Sequence, residues 1–277
     1  RMVTSALATS WHPMPRLDVR AQGYFKQLEF PLSVGALERH AYGATVTGVY
    51  QFWPGWTVTG GLGGSLTNGR DTPQFLAGRA GMRSPDRNAV GFALDLSTNG
   101  LDETAALAEQ GVRSTEMLVS ARWRPGPRSR VDANVSVGRF DGTEGNARRG
   151  GYVGGSRRIG RFFSLGAGYR FFSFEKDLND GYFDPDYYGI AEITSYWLYR
   201  TAPWTFLVEV APGMQQVRTD GDLGTSLRTN ARVSYRVDTG REVSLSAGYS
   251  SAGLTSFATG DGGYDYTALI LGFNWVF

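Results

Sequence analysis

The end of the chain, Tyr266 to Phe277, alternates between two kinds of side chain. Counting back by twos places Phe277, Trp275, Phe273, Leu271 and Leu269 on one face, and Val276, Asn274, Gly272, Ile270 and Ala268 on the other. Strand side chains have period two, so one face of this segment is apolar from end to end. The pattern recurs upstream. Met117, Val119, Ala121 and Trp123 oppose Glu116, Ser120, Arg122 and Arg124, and Val131, Ala133, Val135 and Val137 oppose Asp132, Asn134, Ser136 and Gly138. Trp204, Phe206, Val208 and Val210 set Glu209 on the other side, and Leu227, Ala231, Val233 and Tyr235 oppose Arg228, Asn230, Arg232 and Arg236. An Arg or Lys facing lipid costs about 2–4 kcal/mol at the bilayer midplane, and nearly all strands keep their ionised groups on one face. Arg157 and Arg158 are the exception, beside Gly160, where long side chains reach the headgroups. The expectation is an all-β transmembrane antiparallel up-and-down barrel, hydrocarbon outside and water inside, in the outer membrane of a Gram-negative bacterium.

Mean hydropathy, −0.27, does not argue against this, because alternation hides an apolar half inside a polar average. The aliphatic run Ala268 to Leu271 is far shorter than the roughly 20 residues of a membrane-crossing helix. Cys is absent, which removes disulfides and thiolate chemistry. A net charge of +2 does not call for nucleic acid. With Lys26 and Lys176 the only lysines, the basic side is arginine, which suits paired or water-facing positions. The chain opens Arg-Met without an apolar leader, so residues 1–277 are expected to form one barrel domain, the C-terminal part of a longer chain.

Short turn signals alternate with longer ones. The short set is His12 to Pro15, Pro54-Gly55, Pro85 to Asn88, Pro125 to Arg128, Gly160-Arg161, Ala202-Pro203 and Thr239-Gly240. Between them lie Gly, Asp and Asn-rich stretches at 29–38, 67–72, 98–112, 140–149, 173–183, 219–225 and 252–263. Tight turns on one rim and long loops on the other describe an up-and-down barrel. Fifteen strands are readable, and bacterial barrels carry even numbers, so sixteen are expected with one upstream of Arg1, against fourteen if one strand is split wrongly. Trp11, Trp53, Trp56, Trp123, Trp197, Trp204 and Trp275 all map to the short-turn rim or the terminus, as half of an aromatic girdle. Terminal Phe277 is expected to serve as the signal to the barrel-assembly machinery.

Catalysis is not expected. His12 sits in a Pro-flanked turn and His40 at a loop-to-strand junction, neither with the Ser and Asp of a triad, so His40 is read as an ordinary rim residue. Gly60 to Gly64 lacks the Lys-Ser/Thr of a phosphate loop, and Asp177 to Asp186 and Asp261 to Asp265 lack calcium-loop spacing. No cofactor or metal is expected.

The water-facing wall remains. Its parity collects Arg20, Arg79, Arg83, Arg122, Arg170, Arg228, Arg232 and Arg236 against Asp95, Glu116, Asp132, Glu192 and Glu209, a mixed lining with basic excess. Most of these would brace the wall as cross-strand pairs. The row Arg228, Arg232, Arg236, with Glu209 its one acidic neighbour, is expected to set selectivity. Tyr24, Phe172, Tyr188, Tyr196 and Tyr266 share this face, where rings either fill space or stack on passing sugars.

The segment Asn179-Asp180-Gly181-Tyr182-Phe183-Asp184-Pro185-Asp186-Tyr187-Tyr188 resembles the Gly-Tyr-Phe-x-Pro-x-x-Tyr stretch of the C-terminal barrel in the cellulose synthase outer-membrane subunit. That resemblance implies a sixteen-stranded export barrel behind a periplasmic tetratricopeptide-repeat domain, fed by an inner-membrane synthase, with polysaccharide as cargo and outer-membrane lipid around it. The poly-N-acetylglucosamine exporter has similar architecture. The alternatives are a porin for small polar or anionic solutes, and an autotransporter barrel or outer-membrane enzyme, disfavoured by strand count and by the missing triad. Leu101 to Gln110 is expected to fold over the outer mouth as a short helix.

Overall fold

The computed structural model describes residues 2–31, 36–68, 75–85, 89–101, 111–178, 182–238, 240–251 and 266–275. Phe277, the 102–110 segment, residues 179–181 and Asp261 to Asp265 lie outside the described residues, as do the side chains of Tyr266 and Trp275.

Alternation and turn chemistry produce fifteen strands and, among the described residues, no helix. They are β1 (Met2–Met14), β2 (Leu17–Pro31), β3 (Ala36–Trp53), β4 (Trp56–Thr67), β5 (Phe75–Arg83), β6 (Val90–Gly100), β7 (Arg113–Gly126) and β8 (Ser129–Asp141). There follow β9 (Gly145–Arg158), β10 (Phe163–Phe174), β11 (Tyr188–Thr201), β12 (Trp204–Val217), β13 (Leu223–Arg236), β14 (Arg241–Ser250) and β15 (Tyr266–Trp275). They lie side by side in chain order in one sheet. Residues Arg1–Ala121, Asn134–Gly150 and Ser173–Asp184 form one compact unit, and Arg122–Ala133, Gly151–Phe172 and Pro185–Phe277 a second.

The expected short turns at Pro54-Gly55, Gly160-Arg161 and Ala202-Pro203 each separate two strands, and Gly55 takes the left-handed φ of 81° that a side chain would resist; at His12 to Pro15 and Pro125 to Arg128 the strand runs on into the expected turn, to Met14 and Gly126. Two of the expected long loops are shorter than composition suggests. β2 and β3 pair as far as Pro31↔Ala36, so the 29–38 stretch is mostly ladder. The 140–149 stretch is ladder except at 142–144, because Asn146 and Arg148 are tied to partners on the polar face.

Register sorts the side chains as the alternation requires. In the first unit Tyr50↔Val58 and Val58↔Met82 share one face, while Thr47↔Gly61 and Gly61↔Arg79 share the other. In the second, Val208↔Ala231 opposes Glu209↔Asn230. The apolar face is bare: Leu7 is 82% exposed, Leu62 71%, Leu269 74% and Phe273 74%. Exposure on this scale suits a surface covered by hydrocarbon, since soluble proteins keep contiguous apolar patches to a few hundred Å². Trp11, Trp53, Trp123, Trp197 and Trp204 are exposed, and each lies near a short turn.

Val135, in the middle of β8 and 60% exposed, tests the assignment of this face. Val135→Arg should destabilise the vesicle-embedded protein by about 2–4 kcal/mol, read as a lower urea midpoint, whereas Ser136→Arg on the neighbouring face should shift it far less. An unchanged midpoint for Val135→Arg would contradict the assignment.

Candidate functional site

On the polar face of the first unit, β5 and β6 are joined by an ion pair. Arg79 reaches Asp95 at 2.8 Å, and Asp95 lies over Gly81. The polar faces of β2 to β6 form a trough of about 550 Å³. Thr45, Thr47, Thr57 and Thr59 line it with hydroxyls, and Arg20 and Arg83 stand exposed on its sides.

Further along the same unit, the chain after β10 folds back onto the polar face. Phe174 and Tyr182 pack on Phe140 with centroids 5.1 and 5.3 Å away, and Tyr182 and Asp184 are 3% and 5% exposed. Asn146, fully buried, ties this return together. Its amide donates to the Lys176 carbonyl at 2.7 Å, to the Tyr182 hydroxyl at 3.2 Å and to Asp184 Oδ2 at 3.3 Å, while its oxygen accepts from Lys176 N at 3.0 Å. Asp184 also accepts from Leu178 N at 2.6 Å. A buried amide and carboxylate are tolerable only with their bonding capacity used, and here both are occupied. Arg148 pairs with Glu116 beneath the Phe174 ring, which lies 5.9 Å from the guanidinium. Outside this knot Lys176 Nζ meets Glu144 Oε2 at 2.8 Å. Their hydrogen bond holds the Glu144 carboxyl below its ordinary 4.5 and the Lys176 ammonium above its ordinary 10.5.

In the second unit, Asp132 is held between Arg130 at 2.5 Å and Arg122 at 3.2 Å. Arg228 bridges Glu192, at 3.1 Å, and Glu209, and Arg232 reaches Glu242 at 3.3 Å. The expectation that Glu209 is the one acid near the Arg228, Arg232, Arg236 row is therefore corrected. Glu192 arrives from two strands away and Glu242 from the next strand, neighbours that only register reveals.

Of the rings read as either filler or sugar-stacking, two are filler. Phe172 and Tyr188 stack on each other at 4.9 Å and are 5% and 1% exposed, and the Tyr188 hydroxyl donates to Gln215 Oε1 at 3.1 Å, so neither ring offers a face to a passing chain. Tyr24 and Tyr196 are half-buried. Tyr152 also belongs here, although its strand was read only for Arg157 and Arg158. Its ring covers Gly154 and Gly168, where a Cβ would collide with it, and the Arg170 guanidinium stands over the ring, 5.8 Å from its centroid. Arg148, Arg130 and Glu242 were likewise missed, and counting by twos from Tyr152, Asp132 and Ser244 finds each of them. His40 lies within β3 opposite Gln27, not at the expected loop-to-strand junction; its backbone amide donates to Asn68 Oδ1 at 2.6 Å, and its ring stands 5.5 Å from Phe25.

No protein-family profile matches the sequence, and no curated protein matches it. Solved structures do. A bacterial polysaccharide outer membrane secretin superposes with a TM-score of 0.70 at 11% identity, covering 98% of this chain and 89% of that one. The FrpB iron transporter from Neisseria meningitidis gives 0.51 at 10% identity, and the ferric enterobactin receptor from Pseudomonas aeruginosa 0.50 at 8%. This chain spans only 55% and 52% of those two. The fold is that of the outer-membrane β-barrels.

Two outcomes follow from the knot. Asn146→Leu strands several buried groups and should cost roughly 1–3 kcal/mol, with hydrogen exchange at the Leu178 amide rising. The Glu144 contribution is full above pH 4.5 and disappears as acid protonates the carboxyl below it, while that of Lys176 is full below pH 10.5 and disappears as the ammonium deprotonates above it. Exchange protection around Lys176 should therefore form a plateau between these limits and fall on both sides, and Glu144→Gln should abolish the acid limb.

Proposed function

We propose that this chain lies in the outer membrane of a Gram-negative bacterium and conducts a secreted polysaccharide from periplasm to exterior, making and breaking no bond itself. The observation that carries the reading is the polar face. Its charges are largely spent on one another, as in Glu192–Arg228–Glu209, Arg79–Asp95 and Arg148–Glu116. Such pairs keep a wall wet while weakening its net field, and a long hydroxylated polymer needs water and weak, repeated contacts more than one strong site. The likeness to the polysaccharide secretin supports the same reading. A periplasmic repeat domain and an inner-membrane synthase would then supply the chain, and the barrel-assembly machinery would insert the protein.

A porin for small solutes is the second reading, favoured by the trough, whose 550 Å³ is of the size that holds a small ligand. Ion current through the full chain in planar bilayers separates them. The exporter should carry a small current that long cello-oligosaccharides interrupt, and Tyr182→Ala, which loosens the knot, should raise it. A large, steady current indifferent to oligosaccharides would overturn the export reading.

A further inference from the structure

The trough in the first unit differs from the paired walls. Register places Arg20, Thr47, Gly61 and Arg79 in one row across β2 to β5. Two residues along, the row is Asp18, Val49, Thr59 and Gly81, and two further still Gln51, Thr57 and Arg83. Glycine and threonine thus pave the floor, and guanidinium groups rise at its sides across three strand spacings, about 14 Å. Of the charges here, Asp95 is engaged by Arg79, and Asp18 stands 3.9 Å from His12. Among the described residues Arg20 and Arg83 make no ion pair, and both are exposed to the trough. They lie diagonally across it, about 20 Å apart at the backbone, too far to share one small anion.

A guanidinium left unpaired on a polar wall presents a fork of donors that matches a carboxylate. The threonine hydroxyls between them match sugar hydroxyls, and the glycines leave room for the rings. Granting the export reading above, the geometry points to an acidic polysaccharide as cargo: carboxylate-bearing sugar units held at successive positions by Arg20 and Arg83, over a floor of threonine hydroxyls. Two contacts far apart on one chain favour the polymer over the monomer, because the second forms at the raised effective concentration set by the first.

The test is block of single-channel current through the full chain by oligogalacturonate and by a cello-oligosaccharide of equal length. Oligogalacturonate should block at roughly tenfold lower concentration, the worth of about one exposed bidentate contact, and rising salt should erode the preference. R20Q/R83Q, checked for folding by its heat-shifted gel mobility, should lose the preference and move the reversal potential toward cation selectivity. Equal block by both sugars, or a preference that survives R20Q/R83Q, overturns the inference while leaving the export reading standing. Block by neither sugar overturns the export reading, and the inference with it.

Discussion

A peptide group has nowhere to turn for a hydrogen bond inside hydrocarbon, and the rest of this structure follows from that constraint. A sheet exposed to lipid must bond every amide to the neighbouring strand, so segments of nine to eighteen residues run beside one another with continuous registers such as Leu17↔Tyr50 to Pro31↔Ala36. Once the ladder is continuous, side chains have only two directions available. One is given to Leu, Val, Phe and Trp, and the other to everything that needs water or a partner. A one-residue slip in any strand would exchange the two sets, which is why the alternation is kept so strictly.

The second consequence concerns charge. Fifteen strands bring many ionisable groups onto one face, and an isolated charge against a low-dielectric wall is poorly tolerated. The solution is cross-strand pairing within each unit, from the two-carboxylate embrace of Arg228 to the single contact of Arg79 with Asp95. Against this background the exposed arginines of the trough stand out, as does the knot around Asn146, where the Tyr182 and Asp184 of the sequence motif are buried rather than presented.

How much of this is legible in the sequence depends on the range of the interaction concerned. The fifteen strands and the nearness of Trp11, Trp53, Trp123, Trp197 and Trp204 to short turns are read from period two and from Pro and Gly, which act locally. Loop lengths at 29–38 and 140–149 are overestimated because Gly and Asn favour turns on their own, yet Asn146 is held in strand by partners thirty and more residues away. The same distance problem hides Glu192 from Arg228 and the mutual burial of Phe172 and Tyr188. Parity says which face a residue occupies. Only register says whom it meets there.

Because each strand lies beside its sequence neighbours, the sheet has no long crossover to respect. Hairpins are therefore its units of inheritance: duplicating or deleting one would lengthen or shorten the meander by two strands and leave the others' partners unchanged. Proteins of this construction can change calibre through a single tandem duplication, long before any individual side chain has adapted to a new passenger.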